Sequence, residues 1–355
     1  MHYEKYHYLN AGWPKTPDAA EGIPFIMIMY TIIIDNMISI SIRKLFITIM
    51  YISTLVLCLI SCVTKEGLFM ELHNEKKYYY SSSDYITYSV YGVGSKVLVL
   101  IHGFGASKAN WEDVIKGIPL DQYTIYALDL KGCGNSTIPH DSKYSIEDNA
   151  HIIYDFIKSN RFKNYSLVGH SLGGAVAIFI ALQSYHEKQY QPEAMILLDP
   201  AAYKTDLPFF VNYLRIPVLR NIILNMLSAE FQVKYTLKRI VYDTDSITDD
   251  VVERYAIPMK RKGYDYGLKH TALDIVPQQY NKFTTQYKNL KLPVLIIWGA
   301  QDPVLPPVSG KKLSTSLPNA RLKLIEKCGH NPHEEKPAEV INSILEFLAK
   351  PGINR

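Results

Sequence analysis

Cysteine is scarce: the chain has four in 355 residues, and two of them, Cys58 and Cys62, sit inside an apolar N-terminal stretch. The other two, Cys133 and Cys328, fall on loops after different strands. They allow one optional disulfide in an oxidising compartment and exclude a disulfide-built fold. No His/Cys spacing matches a metal site, so neither a metal nor a cofactor is expected. Charge of one sign is also lacking. With 38 Lys and Arg against 34 Asp and Glu the net charge is +4, too mild and too scattered to argue for nucleic acid. Internal repeats and low-complexity tracts are absent. A charged fraction of 20% beside 48% apolar residues is that of an ordinary globular chain and argues against disorder.

The first sixty residues differ from the rest. Ile23 to Ile34 is an apolar run broken by Asp35 and Asn36, and Arg43-Lys44 then precedes a charge-free run, Leu45 to Ile60. Basic residues ahead of an apolar core are the layout of a secretory signal. The run ends in Leu59-Ile60-Ser61-Cys62, which resembles the bacterial lipobox and implies cleavage before Cys62 and lipid attachment to it. The competing reading is an uncleaved membrane anchor. Met37 lies where a signal of ordinary length begins, so residues 1–36 read as an over-extended start. Both readings export the remainder and tether it to a membrane, facing the periplasm or the cell surface. Residues 1–61 are thus set apart from the folded part.

From Leu72 onward strand, turn and helix alternate. Tyr85 to Tyr91 reads as an antiparallel edge strand. Lys96 to Ile101 is a continuous aliphatic run of the buried parallel kind, and Thr124 to Leu130 is the next strand. Ser145 is placed to cap a helix running to about Ser159. Further strands are expected at Tyr165–Gly169, Ala194–Leu198, Pro293–Trp298 and Leu322–Ile325, with a closing amphipathic helix over Pro337–Lys350. This spacing specifies an α/β fold, a mostly parallel sheet covered on both faces. Residues 202–277 break the rhythm with helical patterns only, such as Phe209–Met226 and Asp249–Tyr255, and read as a helical insertion. It divides the α/β core into residues 62–201 and 278–355.

Gly169-His170-Ser171-Leu172-Gly173 has the Gly-x-Ser-x-Gly pattern, with an aliphatic strand before it and a small-residue helix after it. That is the setting of a nucleophile elbow, where a tight turn lifts the Ser171 hydroxyl above the sheet. A serine hydroxyl needs a base. His330, on the loop before the last helix, is the best placed, with His333 a nearby rival. The base needs a carboxylate partner. Asp302, just past the Pro293–Trp298 strand, is preferred over Asp199, at the end of the preceding strand. The backbone N–H groups of Leu172 and of Phe104, in His102-Gly103-Phe104-Gly105, would stabilise a tetrahedral oxyanion. His102 and Asp129 are read as shaping the neighbouring loops, and His170 as a packing neighbour.

His102–Gly105, Asp129–Ser136, the elbow, Trp298–Asp302 and Cys328–Pro337 occur in an order that resembles the capped α/β-hydrolases. The resemblance spans Tyr85 to the C-terminus. It implies an eight-stranded sheet and a lid formed by the insertion. Epoxide hydrolases and haloalkane dehalogenases of this fold carry Asp at the nucleophile position, whereas this chain has Ser171. The C–C bond hydrolases usually have Asn before the nucleophile, whereas this chain has His170. The expectation is therefore a lipid-anchored carboxylic ester hydrolase acting on a small to medium lipophilic ester, because Leu, Ile and Phe dominate the insertion. The alternatives are a C–C bond hydrolase or perhydrolase with the same triad, an acyltransferase, or a catalytically silent binding protein.

Overall fold

A computed structural model of the chain describes residues 47–53, 75–204, 206–276 and 280–349. Two compact units are present, residues 1–68 and 69–355. In the first, residues 47–53 are helical. The proposed lipidation residue Cys62 and most of the N-terminal apolar stretch lie outside the described residues. Among the described residues no helix is long and apolar enough to cross a membrane.

The second unit is built on the aliphatic runs recognised above. Its strands are β1 (Lys76–Tyr79), β2 (Tyr85–Tyr91), β3 (Lys96–Ile101), β4 (Tyr123–Leu128), β5 (Tyr165–His170), β6 (Ala194–Leu198), β7 (Val294–Gly299) and β8 (Ala320–Ile325). They form one eight-stranded sheet in the order β1-β2-β4-β3-β5-β6-β7-β8. β2 runs antiparallel to both its neighbours, and every other pairing is parallel. The central strands are buried on both faces, which is why they read as continuous apolar runs rather than alternating ones.

Successive side chains nevertheless point to opposite faces. Val99, Leu167 and Leu197 enter one core layer, packed with Ile153, Phe156 and Val176. Those three come from the helices α2 (Ile146–Ser159) and α3 (Leu172–Glu187). Leu100, Val168 and Ile196 enter the opposite layer with Val114, Ile115, Val340 and Ile344. These belong to α1 (Glu112–Gly117) and to the closing helix Pro337–Leu348. Ser145 caps α2 as expected: its hydroxyl accepts the Asp148 N–H at 3.0 Å and the Asp148 carboxylate accepts the Ser145 N–H at 3.0 Å. This reciprocal arrangement satisfies two donors that the helix leaves unpaired.

Between β6 and β7 lie the helices α4 (Phe209–Arg215), α5 (Pro217–Met226), α6 (Ala229–Ile240), α7 (Asp249–Met259) and α8 (Tyr264–Asp274). The apolar pattern over Phe209–Met226 suggested one helix, and the structure has two. Pro217 lacks an N–H and forces Ile216 to an extended φ of −96° and ψ of 109°, so the chain bends there. α6 and α7 share a small core of Val233, Leu237, Ile240, Val251, Val252 and Ala256. α4 and α8 meet through Val211, Leu214 and Ala272. Each pair thus buries its apolar stripe before it meets the sheet. β1 was not expected. Lys76-Lys77-Tyr78-Tyr79 has no apolar alternation and is held as an edge by the turn in which Ser81 Oγ accepts the Asp84 N–H at 2.9 Å.

Candidate active site

Parallel strands place their following loops along one edge of the sheet, where a site can be assembled from distant sequence positions. Phe104 follows β3, Ser171 follows β5, Asp302 follows β7 and His330 follows β8. Ser171 has φ 50° and ψ −114°, a strained conformation for a residue with a side chain. The turn is held from several sides. Ser171 N–H donates to the Leu198 carbonyl at 2.9 Å, and the Ser171 carbonyl accepts the N–H of Gly174, Ala175 and Ala201. A Cβ on Gly173 would lie 2.2 Å from the Ile101 carbonyl oxygen, so only glycine lets the helix pack so tightly on β3.

The structure brings the three sequence-predicted polar residues into one chain. His330 Nε2 is 3.0 Å from Ser171 Oγ, and His330 Nδ1 is 2.8 Å from Asp302 Oδ2. A carboxylate can only accept, so Nδ1 carries the proton and Nε2 presents its lone pair to the hydroxyl. Asp302 is itself fixed, because its Oδ1 accepts the N–H groups of Val304 at 2.7 Å and Leu305 at 3.1 Å. Leu172 is the first residue of α3, so its N–H has no acceptor within the helix. Leu172 and Phe104 border the same cavity as Ser171. Asp199, Asp302 and His330 have oxygen and nitrogen atoms within 4.8 Å of one another. A metal could use that spacing, but the His330–Asp302 hydrogen bond already occupies it.

His333 does not compete for the hydroxyl. It packs on Trp111 with ring centroids 4.8 Å apart, and its Nδ1 is buried without a hydrogen bond. Burial, with His330 beside it, lowers its pKa to about 3. His170 is likewise neutral, held well below the usual histidine range by burial and then by His333 and His330. Its Nε2 meets the His330 carbonyl at 2.8 Å. His102 and Asp129 bond to the backbone around the Phe104 loop, at Gly103, Leu130, Lys108 and Asn135. Cys133 and Cys328 are both free and buried rather than paired. Burial pushes the Cys133 thiol up to about 12.

Two glutamates missed in the sequence hold the His330 loop. The Glu335 carboxylate accepts four backbone N–H groups: Gly329 at 3.0 Å, Asn331 at 3.2 Å, Tyr242 at 2.7 Å and Asp243 at 3.4 Å. The last two belong to the segment after α6, and His330 N–H donates to the Ile240 carbonyl at 2.8 Å. Gly329 permits this approach, since a Cβ there would lie 2.4 Å from the Ile240 oxygen. Glu334 accepts from Tyr255 Oη of α7 at 2.8 Å, from Asn331 Nδ2 at 2.9 Å and from Asn110 Nδ2 at 2.9 Å. The His330 loop is therefore tied to the inserted helices as well as to the sheet. Two adjacent glutamates in a polar loop carry no periodic signal, and only the folded backbone shows what they accept.

Ser171 also opens onto two cavities. The larger, of about 100 Å³, is walled by Phe104, Phe210, Leu214, Val233 and Leu237, and among the described residues no Lys, Arg, Asp or Glu lines it. The smaller, of about 60 Å³, is bordered by Leu207, Val211, Ile275 and Lys204. Phe104 and Phe210 border both cavities and stack at 6.1 Å between centroids.

The alpha/beta hydrolase fold family model matches residues 96–337. The chain belongs to that family. An uncharacterized hydrolase of Bacillus subtilis (strain 168), YugF, is 29% identical over 261 residues, covering 72% of this chain and 90% of that protein. The 2-hydroxy-6-oxononadienedioate/2-hydroxy-6-oxononatrienedioate hydrolase of Cupriavidus pinatubonensis is 25% identical over 266 residues, covering 72% and 88%. A thermophilic esterase from Thermogutta terrifontis superposes with a TM-score of 0.65 at 21% identity, covering 79% of this chain and all of that one (100%). That likeness shows a shared fold.

Two outcomes test the loop. Glu335→Gln turns an NH₂ toward backbone donors, which should cost about 1.5–3 kcal/mol of stability. A displaced base should lower kcat up to about 10²-fold with little change in KM, as unfolding curves and steady-state kinetics will show. Glu334 has its pKa raised to about 6, chiefly by burial. Its folded pKa therefore exceeds its unfolded one, and its contribution to stability is lost as pH rises through 4.5 to 6. Relative to wild type, Glu334→Gln should gain stability over that window by on the order of 1–2 kcal/mol, measured by urea unfolding at several pH values.

Proposed function

We propose that this alpha/beta hydrolase is a serine hydrolase that cleaves carboxylic esters. The observation that carries the reading is the Ser171–His330–Asp302 chain, at 3.0 Å and 2.8 Å, opening onto an apolar chamber with no Lys, Arg, Asp or Glu among the described residues that line it. As the Ser171 oxygen attacks the acyl carbonyl, its proton passes to His330 Nε2. The negative charge gathers on the former carbonyl oxygen, where the N–H groups of Phe104 and Leu172 are its donors. Asp302 offsets the imidazolium. His330 then delivers the proton to the departing alkoxide, leaving an acyl group on Ser171. Water repeats the sequence in reverse, giving up its proton to His330 and releasing the acid.

The uncharged walls favour a neutral lipophilic ester of small to medium size. The inserted helices act as a lid over it. The C–C bond hydrolase reading has the same triad and the relative named above in its favour. That relative's named substrate is a dioate, for which the described residues of the larger chamber offer no cation, although Lys204 borders the smaller one.

Hydrolysis of p-nitrophenyl esters from acetate to palmitate by the full-length protein tests the reading. Short to medium chains should be preferred, and Ser171→Ala should lose about 10⁴–10⁶ in kcat. If a fluorophosphonate labels Ser171 while no ester is cleaved, the ester reading fails and the C–C bond reading takes its place. Export and anchoring through lipid on Cys62 are proposed alongside, supported by the lipobox-like sequence. Cells fed labelled palmitate should yield labelled membrane-bound protein, and Cys62→Ala should abolish the label.

A further inference from the structure

Asp199 lies beside the triad, yet the reaction above gives it no task. It follows β6, is completely buried, and holds φ at +40°, a left-handed conformation uncommon outside glycine. This turns its carboxyl toward the end of β7, where Oδ1 accepts the Gly299 N–H at 2.9 Å. Asp199 Oδ2 is buried and receives no donor. Asp199, Asp302 and His330 come within 4.8 Å of one another through their polar atoms. Apart from the Gly299 N–H, the donors at this point go to Asp302, from the His330 ring and from the amides of Val304 and Leu305. A buried acceptor without a donor is uncommon in a folded protein. Two ionised carboxylates this close in a dry site repel strongly. One proton removes both problems, since it cancels the second charge and turns the unpaired oxygen into a donor.

We propose that Asp199 is a neutral carboxylic acid that donates its proton to the Asp302 carboxylate, and so is a positioning residue for the acid of the triad. Burial, followed by the charge of Asp302, drives the Asp199 carboxyl far above the ordinary carboxylate range. The ionisable groups around it are Asp302 after β7, and Cys328, His330 and Glu335 from the loop after β8. Cys328 is kept neutral by burial, and Glu335 is held by backbone N–H groups, so neither supplies the proton. Donation from Asp199 draws part of the Asp302 charge away from His330. Less of that charge is then left to offset the imidazolium, which is how Asp199 acts through Asp302.

The inference rests on the serine-hydrolase reading, and the experiment separates the two. Infrared spectra of the full-length protein at neutral pH should show the carbonyl stretch of a protonated carboxyl. That band should survive in Ser171→Ala and vanish in Asp199→Asn. In ester kinetics Asp199→Asn, which keeps an N–H donor in place, should stay within about tenfold of wild type, whereas Asp302→Asn should fall by about 10³–10⁴. Asp199→Ala removes the donor, and the acid limb of kcat/KM should move up by roughly half to one pH unit. The proposal is overturned if no carboxyl band is lost in Asp199→Asn, or if that variant is as slow as Asp302→Asn. Fluorophosphonate labelling of wild-type Ser171 reports on the hydrolase reading independently. Its failure would sink that reading, while the infrared band would still decide where the proton sits.

Discussion

The contact between His330 Nε2 and Ser171 Oγ joins residues 159 positions apart in the chain, and little of the surrounding structure makes sense without it. A hydrogen bond of this kind is worth only about 1 kcal/mol by itself. It cannot hold two loops in register and must instead be imposed on them. The parallel sheet imposes one coordinate by setting Ser171 and His330 at the same edge. The strained elbow imposes a second by raising the hydroxyl. The third comes from the Glu335 carboxylate, whose four backbone donors fix the loop that carries the imidazole.

Much of this was legible in the order of residues. Buried parallel strands are continuous aliphatic runs, so β3, β5, β6 and β7 declared themselves within a residue or so at each end. Ser145 announced α2 because capping chemistry is local. Ser171, Asp302 and His330 were placed by their loops and chain order, and the structure brings all three together. Other features depend on distant partners and leave no local trace. β1 is a tyrosine- and lysine-rich edge that exists because β2 is beside it. The break at Ile216–Pro217 was hidden by an apolar pattern that continues through it. Glu334 and Glu335 look like solvent-facing charges until the segment after α6 and Tyr255 of α7 are in position.

The site is also unusual in how it manages charge. Three histidine rings, His170, His330 and His333, crowd together, with centroids 5.1 Å and 4.4 Å from His170 to the other two. Burial keeps His170 and His333 neutral, so neither places a cation beside the His330 ring. On the acid side, Asp302 faces another buried carboxyl. The His330–Asp302 pair is therefore surrounded by groups whose charged forms burial disfavours.

The bond from the His330 N–H to the Ile240 carbonyl also bears on when the chain becomes reactive. Ser171 and its elbow are held by β5, β6 and the helix that follows the elbow, whereas His330 follows β8 and is held by the segment after α6. Without the base Ser171 is an ordinary alcohol. The Ser171–His330 contact therefore requires the sheet and the inserted helices together, and a chain that lacks either leaves the pair unassembled.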